Sequence, residues 1–292
     1  MGILTSRFTK PVSWRLATLA AISSLAVPAS AVPFSFSTGN PDGLIATGSR
    51  PSSAGKIEIE SADDFILTTS TNINHATFTG LLPTGAIINN VRVEIYRVFP
   101  KDSTNPPSGN IPTRVNSPSD VAFAERDVAS STLSFTTTTL NANFAAANSV
   151  LSGVNKIPNQ TTGGEGAVRG EEVLFDITFS STFSLPADHY FFIPQVESSN
   201  GDFLWLSAPK PIVAPGTPFA PDLQSWVRNE NLAPDWLRIG TDIVGAGAFN
   251  AAFSLSGETN TGTVPEPATL ALLGAGMVLI ARGRRRLLRL KK

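Results

Sequence analysis

The chain has 292 residues, 41% hydrophobic and 15% charged, with a formal net charge of −1, two histidines and no cysteine. Without Cys there are no disulfides, thiol nucleophiles, thiolate-bound zinc or iron–sulfur clusters. The two His, His75 and His189, stand too far apart for an H-x-x-x-H or H-E-x-x-H zinc motif.

The even total hides an uneven distribution. Three Lys/Arg lie before residue 32 and seven after residue 281, so residues 32–264 hold 12 Lys plus Arg against 22 Asp plus Glu, a net charge of −10. An acidic body of low charge density argues against nucleic acid and anionic lipid as partners.

From the N-terminus, Arg7, Lys10 and Arg15 precede an apolar stretch from Leu16 to Val27. Ala29-Ser30-Ala31 then places small residues, Ala29 and Ala31, at the two positions a signal peptidase reads. Residues 1–31 are therefore predicted to be a signal peptide cut after Ala31. The alternative is an uncleaved anchor helix, against which Pro28 and the small-residue site argue.

The body that follows is rich in Thr, Ser, Asn, Gly, Pro, Val, Ile and Phe and lacks long amphipathic helical periods. Strands are predicted at 56–60 (K-I-E-I-E), 64–68, 73–82, 87–98, 132–140, 173–179, 189–196, 203–206 and 249–255. In 87–98, Val91, Val93 and Ile95 share one face while Arg92, Glu94 and Tyr96 share the other. In 173–179, Val173, Phe175, Ile177 and Phe179 point inward. Pro83-Thr84-Gly85, Pro106-Pro107-Ser108-Gly109, Gly163-Gly164-Glu165-Gly166 and Asn200-Gly201-Asp202 supply turns. One helix is predicted over 118–129, with Ser119 as its cap. Short strands with this punctuation predict an all-β sandwich domain over 32–258.

After a linker at 259–267 comes Val264-Pro265-Glu266-Pro267, then an uncharged run over 268–281, then a basic end over 282–292 opened by Arg282, Arg284, Arg285 and Arg286. As a helix the 14-residue run spans about 21 Å, short of a bilayer core of about 30 Å. Leu287, Leu288 and Leu290 add depth while cationic side chains snorkel. A buried core helix needs no seven-cation terminus, so this is predicted to be a transmembrane segment with its basic end in the cytoplasm.

Pro-Glu-Pro, a short apolar helix and an Arg cluster at the extreme C-terminus resemble the PEP-CTERM sorting signal. That resemblance implies recognition by an exosortase, a membrane-embedded transpeptidase-like enzyme, with cleavage near Pro265-Glu266-Pro267. It also implies a Gram-negative host that makes exopolysaccharide, and a transient inner-membrane stage before the cell surface or medium. The basic segment runs longer than such tails usually do. Within the body, Ser61-Ala62-Asp63-Asp64-Phe65-Ile66-Leu67 followed by Ile73 to Gly80 resembles the opening of jelly-roll-like β-sandwich modules common in PEP-CTERM-tailed proteins. That likeness transfers no functional residue.

Candidate chemistry in the body is sparse. Asp63/Asp64 and Glu171/Glu172 are adjacent, and strand neighbours point to opposite faces, so neither is a natural acid/base pair. No G-x-S-x-G elbow occurs. Asn40-Pro41-Asp42-Gly43, Glu60 to Asp64 and Asn200-Gly201-Asp202 are candidate loops for a structural Ca²⁺, although none has EF-hand order. Trp226 and Trp236, with Arg228 and Asn229 beside the first ring, are candidate sugar contacts, since a ring with polar neighbours can stack on a saccharide. The usual role of Trp in a sandwich is core packing. The expected function is a non-enzymatic, exosortase-sorted surface or matrix protein associated with exopolysaccharide. The alternative is an exported carbohydrate-active enzyme or sugar-binding module.

Overall fold

The computed structural model describes residues 31–154, 162–212 and 221–260. The predicted signal peptide up to residue 30, the Pro265-Glu266-Pro267 motif, the sorting helix and the basic tail lie outside them. The described residues fall in one compact unit, Ser30–Gly262.

They form fifteen strands: β1 (Val32–Ser37), β2 (Ile45–Gly48), β3 (Ile59–Leu67), β4 (Thr71–Leu82), β5 (Ile88–Arg97), β6 (Ala124–Asp127), β7 (Leu133–Ala146), β8 (Asn148–Val150), β9 (Val168–Leu185), β10 (Asp188–Ser198), β11 (Leu204–Ala208), β12 (Trp226–Asn229), β13 (Leu237–Arg238), β14 (Asn250–Ala251) and β15 (Phe253–Thr259). A single π-helical turn, Ile239–Val244, follows β13. A nine-stranded sheet runs β1-β15-β4-β11-β2-β8, with β9 paired to β4, β7 beyond β9, and β14 beside β11. A six-stranded sheet runs β13-β12-β3-β10-β5-β6. The body is therefore all-β, built of two sheets.

Alternation along the strands creates the core between the sheets. Ala76 and Phe78 of β4, Phe175 and Ile177 of β9 and Leu255 of β15 face Phe65 of β3, Val91, Val93 and Ile95 of β5 and Phe192 of β10 in one buried cluster. Phe192 stacks on Phe253 across the sheets, ring centroids 5.0 Å apart. Phe78 stacks on Phe175 at 4.7 Å. Each such ring is worth about 1.5–3 kcal/mol of burial, so the core itself stabilises a chain with no covalent cross-links. Gly80 belongs to this packing, because a Cβ there would lie 2.2 Å from the Phe203 ring.

The Asp63-Asp64 pair inside the motif-like segment is structural, and its two carboxylates do point to opposite faces. Asp63 accepts hydrogen bonds from the Ala251 amide (2.9 Å) and the Ser225 hydroxyl (2.9 Å). Asp64 lies 2.6 Å from His189 Nε2 and accepts from the Leu223 amide at 3.2 Å. Together they tie β14 and the segment before β12 to β3. Burial pushes the Asp63 carboxyl well above the usual carboxylate range, and the neighbouring Asp64 charge adds to it.

Two expectations are corrected. No helix forms over 118–129: Pro118 bridges to Val98 and Ala124–Asp127 becomes β6, paired with Arg92–Ile95 of β5. The open edge of β5 overrides a weak local helix preference. Ser119 caps nothing helical; its hydroxyl accepts from the Asp102 amide, and its carbonyl accepts from Trp236 Nε1. The alternating 56–60 segment is strand only from Ile59, because Lys56 closes a turn onto Ser53 and reaches Asp202 at 2.8 Å.

Candidate functional site

The two sheets differ on their outer faces. That of the six-stranded sheet is plugged. Ala62, Tyr96, Phe191, Ile193, Leu223, Trp226 and Trp236 form a buried cluster on it. Beside them the Arg228 guanidinium pairs with Glu60 and donates to the Tyr96 hydroxyl oxygen at 2.9 Å. Arg228 also sits 4.4 Å from the centroid of the Trp236 ring. The Tyr96 hydroxyl donates to Glu60 at 2.8 Å and lies 3.4 Å from Glu94. Burial, and then the charge of Glu60, push the Glu94 carboxyl up to about 9. Arg114 bridges Asp120 (2.6 Å) and Asp235 (2.9 Å) close by.

This geometry corrects the expected sugar contacts. Trp226 is 1% and Trp236 0% exposed, and Arg228 and Asn229 are buried with them. Asn229 donates to the Val154 carbonyl and accepts from the Leu232 amide. The indoles are core residues of a second layer, not flat platforms open to a saccharide. Proximity in sequence to Arg and Asn reflected a buried ion-pair network, which the same residue types also build.

The candidate calcium loops are likewise engaged by protein donors. Asp42 accepts from the Leu44 amide and the Ser207 hydroxyl. Asn200 bonds the Ile87 amide and the Gly85 carbonyl. Asp202 pairs with Arg50 and Lys56. Among the described residues no group of three His, Asp or Glu converges as a metal would require.

The outer face of the nine-stranded sheet is different. Strand register aligns two rows across five strands: Ser35, Ser256, His75, Thr178 and Ser134 in one, Ser37, Ser254, Thr77, Asp176 and Thr136 in the other. At the interstrand spacing each row is about 19 Å long, and the rows lie about 7 Å apart. All ten side chains are half-buried or exposed. Eight are hydroxyls, which come from ordinary polar-out alternation carried by Ser and Thr in place of Lys and Glu. A β-bulge borders the rows between Ser256 and Gly257, where β4 has one extra residue, and the register against β9 also shifts between Ile73 and His75. Gly257 is required there, because a Cβ would come within 1.9 Å of the Asn72 carbonyl oxygen.

Neighbours within the rows bond to each other. Thr77 Oγ1 and Ser254 Oγ are 2.6 Å apart. His75 Nε2 lies 2.8 Å from Asp176 Oδ1, and His75 Nδ1 lies 3.4 Å from Ser256 Oγ. No window along the chain shows this Ser–His–Asp line, because its members are 75, 176 and 256 and only pairing joins them. Among the described residues no helix is long and apolar enough to cross a membrane.

The body is thus a two-sheet, all-β unit with a solvated hydroxyl face, set ahead of an apolar and basic C-terminal segment. Residues 263–286 match the model of the PEP-CTERM protein-sorting motif. The chain is a protein carrying that motif, which marks it as exported and targeted to an exosortase as its processing partner. The same motif implies a transient C-terminal membrane anchor before release. No curated protein and no solved structure matches the chain.

Proposed function

We propose that this chain is a non-enzymatic surface or extracellular-matrix protein whose signal peptide, residues 1–31, is removed by signal peptidase. Its body then associates with hydrated exopolysaccharide through the outer face of the nine-stranded sheet. The observation that carries the reading is the pair of five-strand hydroxyl rows. Hydroxyls donate and accept, as sugar hydroxyls do, and a face about 19 Å long meets several sugar units of an extended polymer at once. The rows carry a single carboxylate, Asp176, on a body that is otherwise acidic, so the face adds little charge repulsion towards an anionic polymer.

The test is co-sedimentation of the released protein with purified exopolysaccharide of the producing cell. Ser35→Glu with Thr178→Glu places two charges on exposed positions of one row. Binding should fall at least about tenfold, the equivalent of about 1.4 kcal/mol, with melting unchanged. Equal binding by this variant contradicts the reading.

The line of Ser256, His75 and Asp176 supports a second reading, an exported carbohydrate-active enzyme that removes ester groups. Against it, the Ser–His separation of 3.4 Å is at the long limit of a hydrogen bond. The line also sits among cross-strand pairs on a sheet face, where neighbouring amides are committed to the ladder. Ester release that Ser256→Ala abolishes would favour the enzyme.

A further inference from the structure

Sheet edges are where chains pair with other chains, and native proteins protect them with shortness, Pro or charge. Most of the edges here follow that rule. β1 carries Pro33, β8 has three residues, β13 has two with Arg238, and β6 reads Ala-Glu-Arg-Asp. β7 does not. It is 14 residues long, LSFTTTTLNANFAA, without a charge, a Pro or a Gly. Among the described residues it pairs with β9 on one side and with no strand on the other.

Its ladder is regular from Leu133 to Thr139 and broken by irregularities between Thr139 and Asn141 and between Asn141 and Phe144. In the regular stretch Ser134 and Thr136 to Thr139 are exposed and Phe135 is half-buried. A depression of about 430 Å³ lies against this stretch, lined by Val128, Ser131, Leu133, Ser134, Phe135 and Ser180.

We propose that β7 is a homotypic docking edge: two copies of this chain pair their β7 strands antiparallel about a twofold axis at Thr136. The occupant follows from charge and self-complementarity. Two bodies of net charge −10 repel over most of their surfaces, and this long uncharged edge lets them meet without placing like charges opposite each other. An antiparallel pairing of identical strands is its own complement, so each copy offers what the other needs. Centring on Thr136 sets Ser134 against Thr138 and Thr136 against Thr136 on the outer face. On the inner face it sets Phe135 against Thr137 and Leu133 against Thr139. The Thr137 methyl group of the second copy then covers the half-buried Phe135 beside the depression. The pairing joins two nine-stranded sheets into one, and the row ending at Thr136 continues into its counterpart. The inference stands on the edge geometry and does not depend on polysaccharide binding.

The chain has no cysteine, so single-cysteine variants report the contact cleanly. Directly opposed residues in an antiparallel pair have Cα atoms about 4.5–5.5 Å apart, within disulfide range. The full chain, solubilised in mild detergent and gently oxidised, should form a reducible species of doubled mass as Thr136→Cys. Thr178→Cys, exposed on the same face but inside the sheet, should not. Sedimentation of the unsubstituted chain should show a monomer–dimer equilibrium, which Thr137→Lys weakens at least about tenfold. Three results overturn the proposal: cross-linking of Thr136→Cys no greater than that of Thr178→Cys, capture of a different protein at that position, or an unsubstituted chain that stays monomeric up to about 100 μM, the weak end of specific association. The last requires no variant and is independent of any folding defect.

Discussion

Replacing Pro265-Glu266-Pro267 with three alanines should make the full-length chain build up in the inner membrane, with release falling close to zero. The motif lies at the head of the sorting segment at 263–286. Behind it an uncharged run of 14 residues is followed by five Arg and two Lys. On the proposed reading the apolar run would partition into lipid and the cations would hold its end at the cytoplasmic side, so a chain that is not cut there would have no route outward. Deleting residues 264–292 should have the opposite effect, leaving an unanchored, soluble body. Membrane fractionation with an antibody to the body distinguishes the three forms. Tail removal that proceeds unchanged in the alanine variant contradicts the role given to the motif.

The second large effect is a stability that falls as pH rises. Glu94 sits on the outer face of the six-stranded sheet among Glu58, Glu60, Arg92, Tyr96 and Arg228. Burial and the Glu60 charge raise its carboxyl from 4.5 to about 9. The folded protein therefore holds a proton that the unfolded chain releases near 4.5. The stabilisation is full below that pH and is lost as pH climbs towards 9. At about 1.4 kcal/mol per pH unit the loss amounts to several kcal/mol. Asp63, also raised by burial, acts in the same direction. Melting temperature should thus drop between pH 5 and pH 9. Glu94→Gln, which keeps the shape and stays neutral, should remove at least half of that slope and be the more stable protein at pH 8. A parent melting temperature that rises over this window contradicts the assignment.

How much of this was written legibly in the sequence depends on the range of the interaction. The core strands were readable because period-two alternation is local: Val91, Val93 and Ile95, and Val173, Phe175, Ile177 and Phe179, face inward as their spacing dictates. The sorting segment was readable for the same reason, since motif, apolar run and cations are contiguous. Short strands such as β2, β8, β12 and β13 were not, because two to four residues held by pairing leave no period to detect. The 118–129 segment misled because a helix-like composition was captured by the edge of β5. Trp226 and Arg228 misled in another way. Stacking on a sugar and closing over a buried Glu60–Arg228 pair use the same side chains, and only burial separates the two. The hydroxyl rows and the line of Ser256, His75 and Asp176 arise from register between distant strands, which no window along the chain contains.

Export followed by trimming at both ends is the fate proposed for this chain. The intact mass of the protein recovered from the cell surface or medium tests it most directly. The expected product begins at Val32 and ends near Pro265-Glu266-Pro267, lacking the apolar run and the basic tail. Recovery of the full 30.8 kDa chain with both termini intact would contradict it.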